Sequence, residues 1–284
     1  MAGRLQSRFE LVQAYFSAGR NFSLSPADLW VNGVVKLPCT SIGPRFIEAI
    51  ESNDDPDFLR VKLKQVSLPL YWPRTLPLFD LYKVVTECFY EPDWHFYEIP
   101  ETRVEPGDTV LDCGAAEGIF TLRVSERAGT VIAFEPLPLF TKSLCKTFAT
   151  AGNVVVEPYA LGEVEGQAYL QGGSLYGSVT TQPGGAPIQI KTIDHWAAAS
   201  GRSIQYIKGD LEGFELKVLQ GAAETIRRDR PKIALTVYHI GNNWQEILAY
   251  LRKLVPTYQY KVKGLSYNGG QSRPTMLHCW NTRN

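Results

Sequence analysis

Four apolar runs of this sequence end in side chains capable of chemistry. TVLDCGAAEGIFTL (109–122) reaches Asp112, then Gly114, Ala115, Glu117 and Gly118, before a second apolar run. VIAFEP (131–136) ends in Glu135 and Pro136, IQYIKGDLEGFELKVLQGA (204–222) contains Asp210 and Glu212, and PKIALTVYH (231–239) ends in His239. In an open parallel sheet, strand ends of this kind share one edge. Ligands bind in the crevice beyond that edge, where the strand order reverses.

The glycine turn bears on the ligand's charge. A dinucleotide fingerprint reads Gly-x-Gly-x-x-Gly, whereas here Asp112 takes the first glycine position and Glu117 stands beside the last. Two carboxylates repel a pyrophosphate and favour a cation. S-adenosylmethionine, with a sulfonium and an ammonium group, fits. Gly114 and Gly118 are expected to let the backbone approach that ligand. The helix after the turn is expected to offer free N–H groups. Glu135, about twenty residues on, is placed to accept the ribose hydroxyls. Ala115, Pro136, Ala160, Asp210 and Tyr97 complete the expected cofactor-contacting set, Tyr97 at the methionine end.

Asp210, Glu212 and His239 form the expected catalytic set. His239 is read as a general base for a hydroxyl, with Asp210 orienting it or the substrate. Glu212 also suits a helix start, where the dipole stabilises an acid. A structural hydrogen bond is the alternative for His239. A divalent metal on the same residues is a further alternative, but no dense ligand cluster is visible and no metal site is expected. His95, His195 and His278 are read as surface or structural.

Elements that would position these groups follow from periodicity. Strands are expected at 109–113, 130–135, 154–159, 204–209, 232–238, 258–264 and 275–281, and helices at 118–127, 138–150, 213–228 and 242–254. Strands alternating with helices predict a parallel sheet with right-handed crossovers. The last two strands, separated by SYNGGQSRP, predict an antiparallel hairpin at the edge. Residues 161–190 suit a short hairpin beside the sheet. Residues 1–90 differ and are read as a cap or substrate segment, with the cofactor-binding domain at 91–284. In the cap, Leu5, Phe9, Val12 and Phe16 share one helical face, 58–66 alternates as a strand, and proline-rich 67–79 is irregular or edge structure. Eight aromatic residues between Trp72 and Tyr97, with QGGSLYGSVTT (171–181), suggest either an acceptor pocket wall or cap packing.

Together, VLDCGAAEG, FEP, IKGDLEGFELKVLQGA and PKIALTVYH resemble the FkbM family of S-adenosylmethionine-dependent methyltransferases over about residues 95–280. The resemblance implies a seven-stranded Rossmann-like class I methyltransferase fold and O-methylation of a small natural product or sugar. It also implies cofactor contacts from the glycine turn and Glu135. Gly209 departs from the family, which carries an apolar β-branched residue there, and is read as leaving room for a substrate or backbone.

Composition narrows the partners. Lys+Arg and Asp+Glu both number 29, which argues against a long nucleic-acid groove. The five cysteines form no Cys-x-x-Cys pair and are read as free buried thiols. No apolar stretch of ~18 residues is present, so no membrane span is expected, and a cytoplasmic location follows. A small-molecule acceptor is the expected partner. The rival readings are N-methylation of a small molecule or peptide, and a catalytically degenerate module that binds S-adenosylmethionine or acts as a scaffold.

Overall fold

The computed structural model describes residues 12–13, 15–16, 26–35, 37–171, 178–180, 185–239, 243–268 and 271–281. In chain order, the N-terminal part forms strands β1 (Ile47–Glu51), β2 (Phe58–Leu63) and β3 (Leu70–Pro73), then helix α1 (Leu78–Phe89). The regular part follows as β4 (Thr109–Cys113), α2 (Ile119–Ser125), β5 (Thr130–Phe134), α3 (Pro138–Thr147) and β6 (Val154–Glu157). An insertion holds β7 (Ala160–Leu161), β8 (Gly166–Gln171), β9 (Ser178–Thr180) and β10 (Ala186–Lys191). The chain continues as α4 (Ile193–Ser200), β11 (Tyr206–Gly209), α5 (Glu215–Gln220), α6 (Ala223–Asp229), β12 (Lys232–Thr236), α7 (Trp244–Leu254), β13 (Tyr258–Asn268) and β14 (Gln271–Asn281).

The main sheet has seven strands in the order β13-β14-β12-β11-β4-β5-β6. Its central members are parallel, and β14 runs antiparallel to both β12 and β13. This is the expected Rossmann-like α/β fold. From β4 the chain winds outward through β5 and β6, then returns to lay β11 on the other side of β4. The strand order thus reverses between β4 and β11, which puts the crevice at their carboxyl ends. Val110, Leu111, Cys113, Val131, Ile132, Ala133, Phe134, Ile207, Ile233 and Leu235 are all buried. Both faces are covered, so these strands read as near-continuous apolar runs.

Several local expectations are revised. The helix expected at 213–228 is two helices. A Cβ on Gly221 would lie 2.1 Å from the Gly162 carbonyl, so a neighbouring loop presses on the backbone there. α6 then restarts on a long-range cap: the Asp194 carboxylate accepts the N–H groups of Glu224 and Thr225 at 3.0 and 2.7 Å. The loop expected at 266–274 is mostly strand, with Leu265 opposite Pro274 and Asn268 opposite Gln271. The insertion is a four-stranded sheet, β7-β10-β8-β9, rather than a hairpin. α4 was not expected; Thr192 caps its start, its hydroxyl accepting the His195 N–H.

In the N-terminal part, β2 falls within the expected strand, while 67–79 contains β3 and the start of α1. β3 joins the main body where the Tyr71 N–H donates to the Thr147 hydroxyl of α3 at 3.1 Å. Val12 packs on the core together with Tyr15, whereas Phe16 is exposed; Leu5 and Phe9 lie outside the described residues. All five cysteines are free, but only Cys88, Cys113 and Cys279 are buried, and Cys145 is exposed. No helix among the described residues is long and apolar enough to cross a membrane.

Candidate active site

Parallel pairing sets Lys208 of β11 beside Asp112 of β4. The Lys208 ammonium lies 2.9 Å from Asp112 Oδ1 and donates to the Gly114 carbonyl at 2.6 Å. Burial alone lowers an ammonium's pKa; Asp112, then Asp210, outweigh it and hold the group up. Asp112 Oδ2 accepts the Thr121 hydroxyl at 2.7 Å, and the residue is fully buried. This corrects the sequence reading. Asp112 does not present a charge to the crevice; it neutralises Lys208, which straps the glycine turn to the neighbouring strand.

The turn itself is left-handed at Gly114 (φ 77°), Ala116 (φ 46°) and Gly118 (φ 85°). A Cβ on Gly114 would lie 2.1 Å from the Asp210 carbonyl, and one on Gly118 2.4 Å from Leu144 Cδ2. Both glycines are therefore required by backbone conformation, and Gly114 also by the close Asp210 carbonyl. The N–H groups of Gly114 and Ala115 donate to the Phe134 carbonyl, that of Gly118 to the Ala115 carbonyl, and that of Ala116 to Glu135 Oε2. These four turn N–H groups are all bonded within the chain. Likewise, the space over Gly209 is filled by Leu235, whose Cδ2 would lie 2.6 Å from an added Cβ.

Glu135 stands just past the end of β5, with Oε2 on the Ala116 N–H and Oε1 on the Leu137 N–H. It is 4% exposed, and burial pushes its pKa up to about 7 against the pull of those two bonds. Glu117 is 8% exposed and is also raised by burial to about 7. Neither acid has a salt-bridge partner among the described residues. Pro136 is half-buried beside Glu135, and Ala115 is buried in the turn. Ala160 is buried with Ala168 and Ile188, in a cluster against which Leu137, the residue after Pro136, packs.

A folded-state pKa above the unfolded one favours the protonated native state. Stability from Glu117 is thus full below about pH 4.5 and lost by about pH 7. Unfolding free energies of Glu117→Gln and the unliganded wild type, from denaturant titrations, should diverge across that window. The variant should be the higher, by on the order of 3 kcal/mol, and the gap should stay level above it.

Across the crevice, Asp210 follows β11. Its Oδ2 accepts the Tyr97 hydroxyl at 2.7 Å and its Oδ1 the Thr236 hydroxyl at 3.0 Å. Burial pushes its pKa up, but His95, Lys208, His239 and the Tyr97 hydroxyl pull harder and hold it at about 2. His239, past the end of β12, turns Nε2 toward Asp210 Oδ1 (3.7 Å) and Glu212 Oε2 (3.3 Å), and Nδ1 toward Glu215 Oε1 (3.3 Å). Burial lowers its pKa; the Glu215 contact and the three carboxylate charges more than reverse that. Asp210, Glu212 and His239 are thus brought together as expected.

Glu212 is not the acid at a helix start. It is exposed, in left-handed backbone (φ 52°), and two residues short of the α5 N-cap, Phe214. Glu215 is the first residue of that helix, fully buried, and accepts the Leu211 N–H at 3.0 Å. Sequence reasoning missed Glu215 and Lys208, although a lysine inside an apolar strand and an acid on an apolar helix face are both signals of pairing. It also dismissed His95. That residue is 8% exposed, with Nε2 3.9 Å from Asp210 Oδ2 and its ring against those of Tyr97 and Tyr238. His278 is structural as expected, fully buried with Nδ1 2.9 Å from the Thr102 hydroxyl.

Much of the aromatic cluster is buried inside the protein. Trp72, Phe89, Trp94 and Phe96 are buried, and the Arg123 guanidinium sits 4.3 Å over the Phe96 ring. Phe79 is exposed, and most of 171–181 lies outside the described residues. Tyr97 is the member that reaches Asp210. A cleft of about 650 Å³ beside Glu105, Gln205, Lys232 and Trp280 opens at the opposite, amino-terminal end of the strands.

A seven-stranded sheet with this reversal point and an acid-lined carboxyl edge defines a Rossmann-like fold of the methyltransferase class. The sequence profile described as the methyltransferase FkbM domain matches residues 112–261, more than half of the chain, and the chain belongs to that family. No curated protein matches it in sequence. Among solved structures it is similar to the methyltransferase FkbM from Methylobacillus flagellatus KT, at 22% identity and a TM-score of 0.48. That match covers 72% of this chain and 54% of the other, so this chain spans about half the length of its relative. An rRNA methylase from Streptococcus thermophilus matches at 11% identity and TM-score 0.42, covering 63% of this chain and 90% of that one. A Streptococcus mutans chain in complex with SAH matches at 12% and 0.40, covering 62% and 90%.

Proposed function

We propose that the chain transfers a methyl group from S-adenosylmethionine to a hydroxyl of a small molecule, a natural product or a sugar. The observation that carries this reading is the pair of buried acids at the carboxyl edge, Glu117 and Glu135. Burial holds both at about 7, and a ligand bearing positive charge relieves that cost. Glu135 would take the ribose hydroxyls, its carboxylate already aimed by the N–H groups of Ala116 and Leu137. Glu117, Tyr97 and Asp210 would face the methionine end, with Ala115 and Pro136 as neighbours.

When bound, S-adenosylmethionine supplies a methyl group on a positively charged sulfur that leaves readily as a neutral thioether. The chain's own work is alignment and proton management. Alignment of an acceptor oxygen can contribute up to ~7–11 kcal/mol to the rate. Asp210, ionised and fixed from both sides by Thr236 and Tyr97, is a rigid acceptor for the incoming hydroxyl. That hydroxyl must shed its proton as its oxygen takes the methyl, and the Asp210–Glu212–His239 cluster is where the proton departs.

Calorimetry with adenosylhomocysteine, joined to a methyl-release assay over hydroxyl and amine acceptors, tests the proposal. Binding with turnover on a hydroxyl acceptor is the expected result. Absence of adenosylhomocysteine binding overturns it, and turnover confined to amines moves the assignment to N-methylation.

A further inference from the structure

We propose that Asp210, Glu212 and His239 bind one divalent cation of the Mn²⁺ or Mg²⁺ class, which holds the acceptor's oxygen. The cation's purpose rests on the methyltransferase reading; its site does not. One ligand atom from each of the three residues lies within 4.8 Å of the others. His239 Nε2 stands 3.3 Å from Glu212 Oε2 and 3.7 Å from Asp210 Oδ1. Donors bound at ~2.0–2.2 Å to one ion sit about 3.0–3.5 Å apart. The two His239 distances need to close by only a few tenths of an ångström, and the Asp210 and Glu212 oxygens, within 4.8 Å of each other, by about an ångström at most.

The outer contacts match those of ligands already oriented for a metal. Metal-binding histidines almost always give their second ring nitrogen to a carboxylate, carbonyl or water. Here His239 Nδ1 faces the fully buried Glu215 carboxylate at 3.3 Å. A proton on Nδ1 leaves the Nε2 lone pair directed at two carboxylate oxygens. With Nε2 deprotonated, three acceptor atoms face one another, and a cation takes the place of the ring proton between them. Asp210 is fixed by the hydroxyls of Thr236 and Tyr97. Glu215, Thr236 and Tyr97 come from three different elements, and each orients a ligand from outside the trio.

The donor set also indicates the ion. Two carboxylate oxygens with one imidazole nitrogen suit Mn²⁺, and Mg²⁺ with more retained water. Two carboxylates neutralise a divalent charge. Three protein ligands leave coordination positions for the acceptor hydroxyl, whose pKa falls on binding. Its proton passes to the exposed Glu212 side or to solvent, and the oxygen's electron pair is freed for the methyl carbon. His239 then serves as a ligand rather than as the base inferred from sequence.

Mn²⁺ is titrated into the full chain, and free ion is followed by its paramagnetic resonance signal. The wild type should show saturable uptake of one ion. Glu212→Gln, an exposed change that the fold tolerates, and His239→Gln should each weaken uptake roughly tenfold or more. No uptake by the wild type, or equal affinity in all three chains, overturns the site. Adenosylhomocysteine calorimetry on the same samples reports separately on the methyltransferase reading. Mn²⁺ uptake without nucleoside binding removes that reading and keeps the site; nucleoside binding without Mn²⁺ uptake does the reverse.

Discussion

Lys208→Met should destabilise the folded chain by about 3–5 kcal/mol at neutral pH, the usual effect of stranding one member of a buried ion pair. Asp112 has no exposed surface on which to recover hydration. The substitution also removes the donor to the Gly114 carbonyl, so the glycine turn loses its strap to β11. Urea unfolding of the two chains measures the difference. Adding Asp112→Leu should restore part of the loss, because an apolar pair of similar volume is often neutral relative to the ion pair it replaces. A single-variant effect below about 1 kcal/mol, the range of exposed pairs, would show that water reaches the pair.

The second large effect is on turnover. His239→Gln should lower kcat by about 10²–10⁴-fold, the range of lost proton-transfer assistance, and leave adenosylhomocysteine affinity unchanged. The imidazole lies on the Glu212 and Glu215 side of Asp210; the expected ribose acceptor, Glu135, stands past the end of β5, two strands away from β11. A purely structural histidine would change rate, nucleoside affinity and melting temperature together. Undiminished turnover would remove His239 from the mechanism in either role, base or ligand.

How much of this was legible depended on the range of the interaction. The apolar runs at 109–113, 130–134 and 232–236 became strands because a covered parallel sheet needs side chains that are apolar on both faces. Their polar ends therefore fell on one edge. This made Glu135, Asp210 and His239 recognisable as candidates from spacing alone. The two-helix break at Gly221 was not legible, since it answers to the Gly162 carbonyl about sixty residues earlier. The packing of Gly118 was not legible for the same reason: beside its left-handed backbone lies Leu144 of α3, twenty-six residues later.

The sequence by itself determined the sheet, its winding, and which acids and which histidine end its strands, because those properties follow from local periodicity and from connections that must cross over right-handed. Only the tertiary structure decided what each charge is for. Register across β4 and β11 assigned Asp112 to Lys208. The chain's return past α1 set His95 and Tyr97 against Asp210, more than a hundred residues away. A carboxylate carries the same charge wherever it stands in a sequence. Whether that charge is neutralised within the core or left open to a ligand depends on which cation and how much water lie within a few ångströms, and folding alone sets those distances.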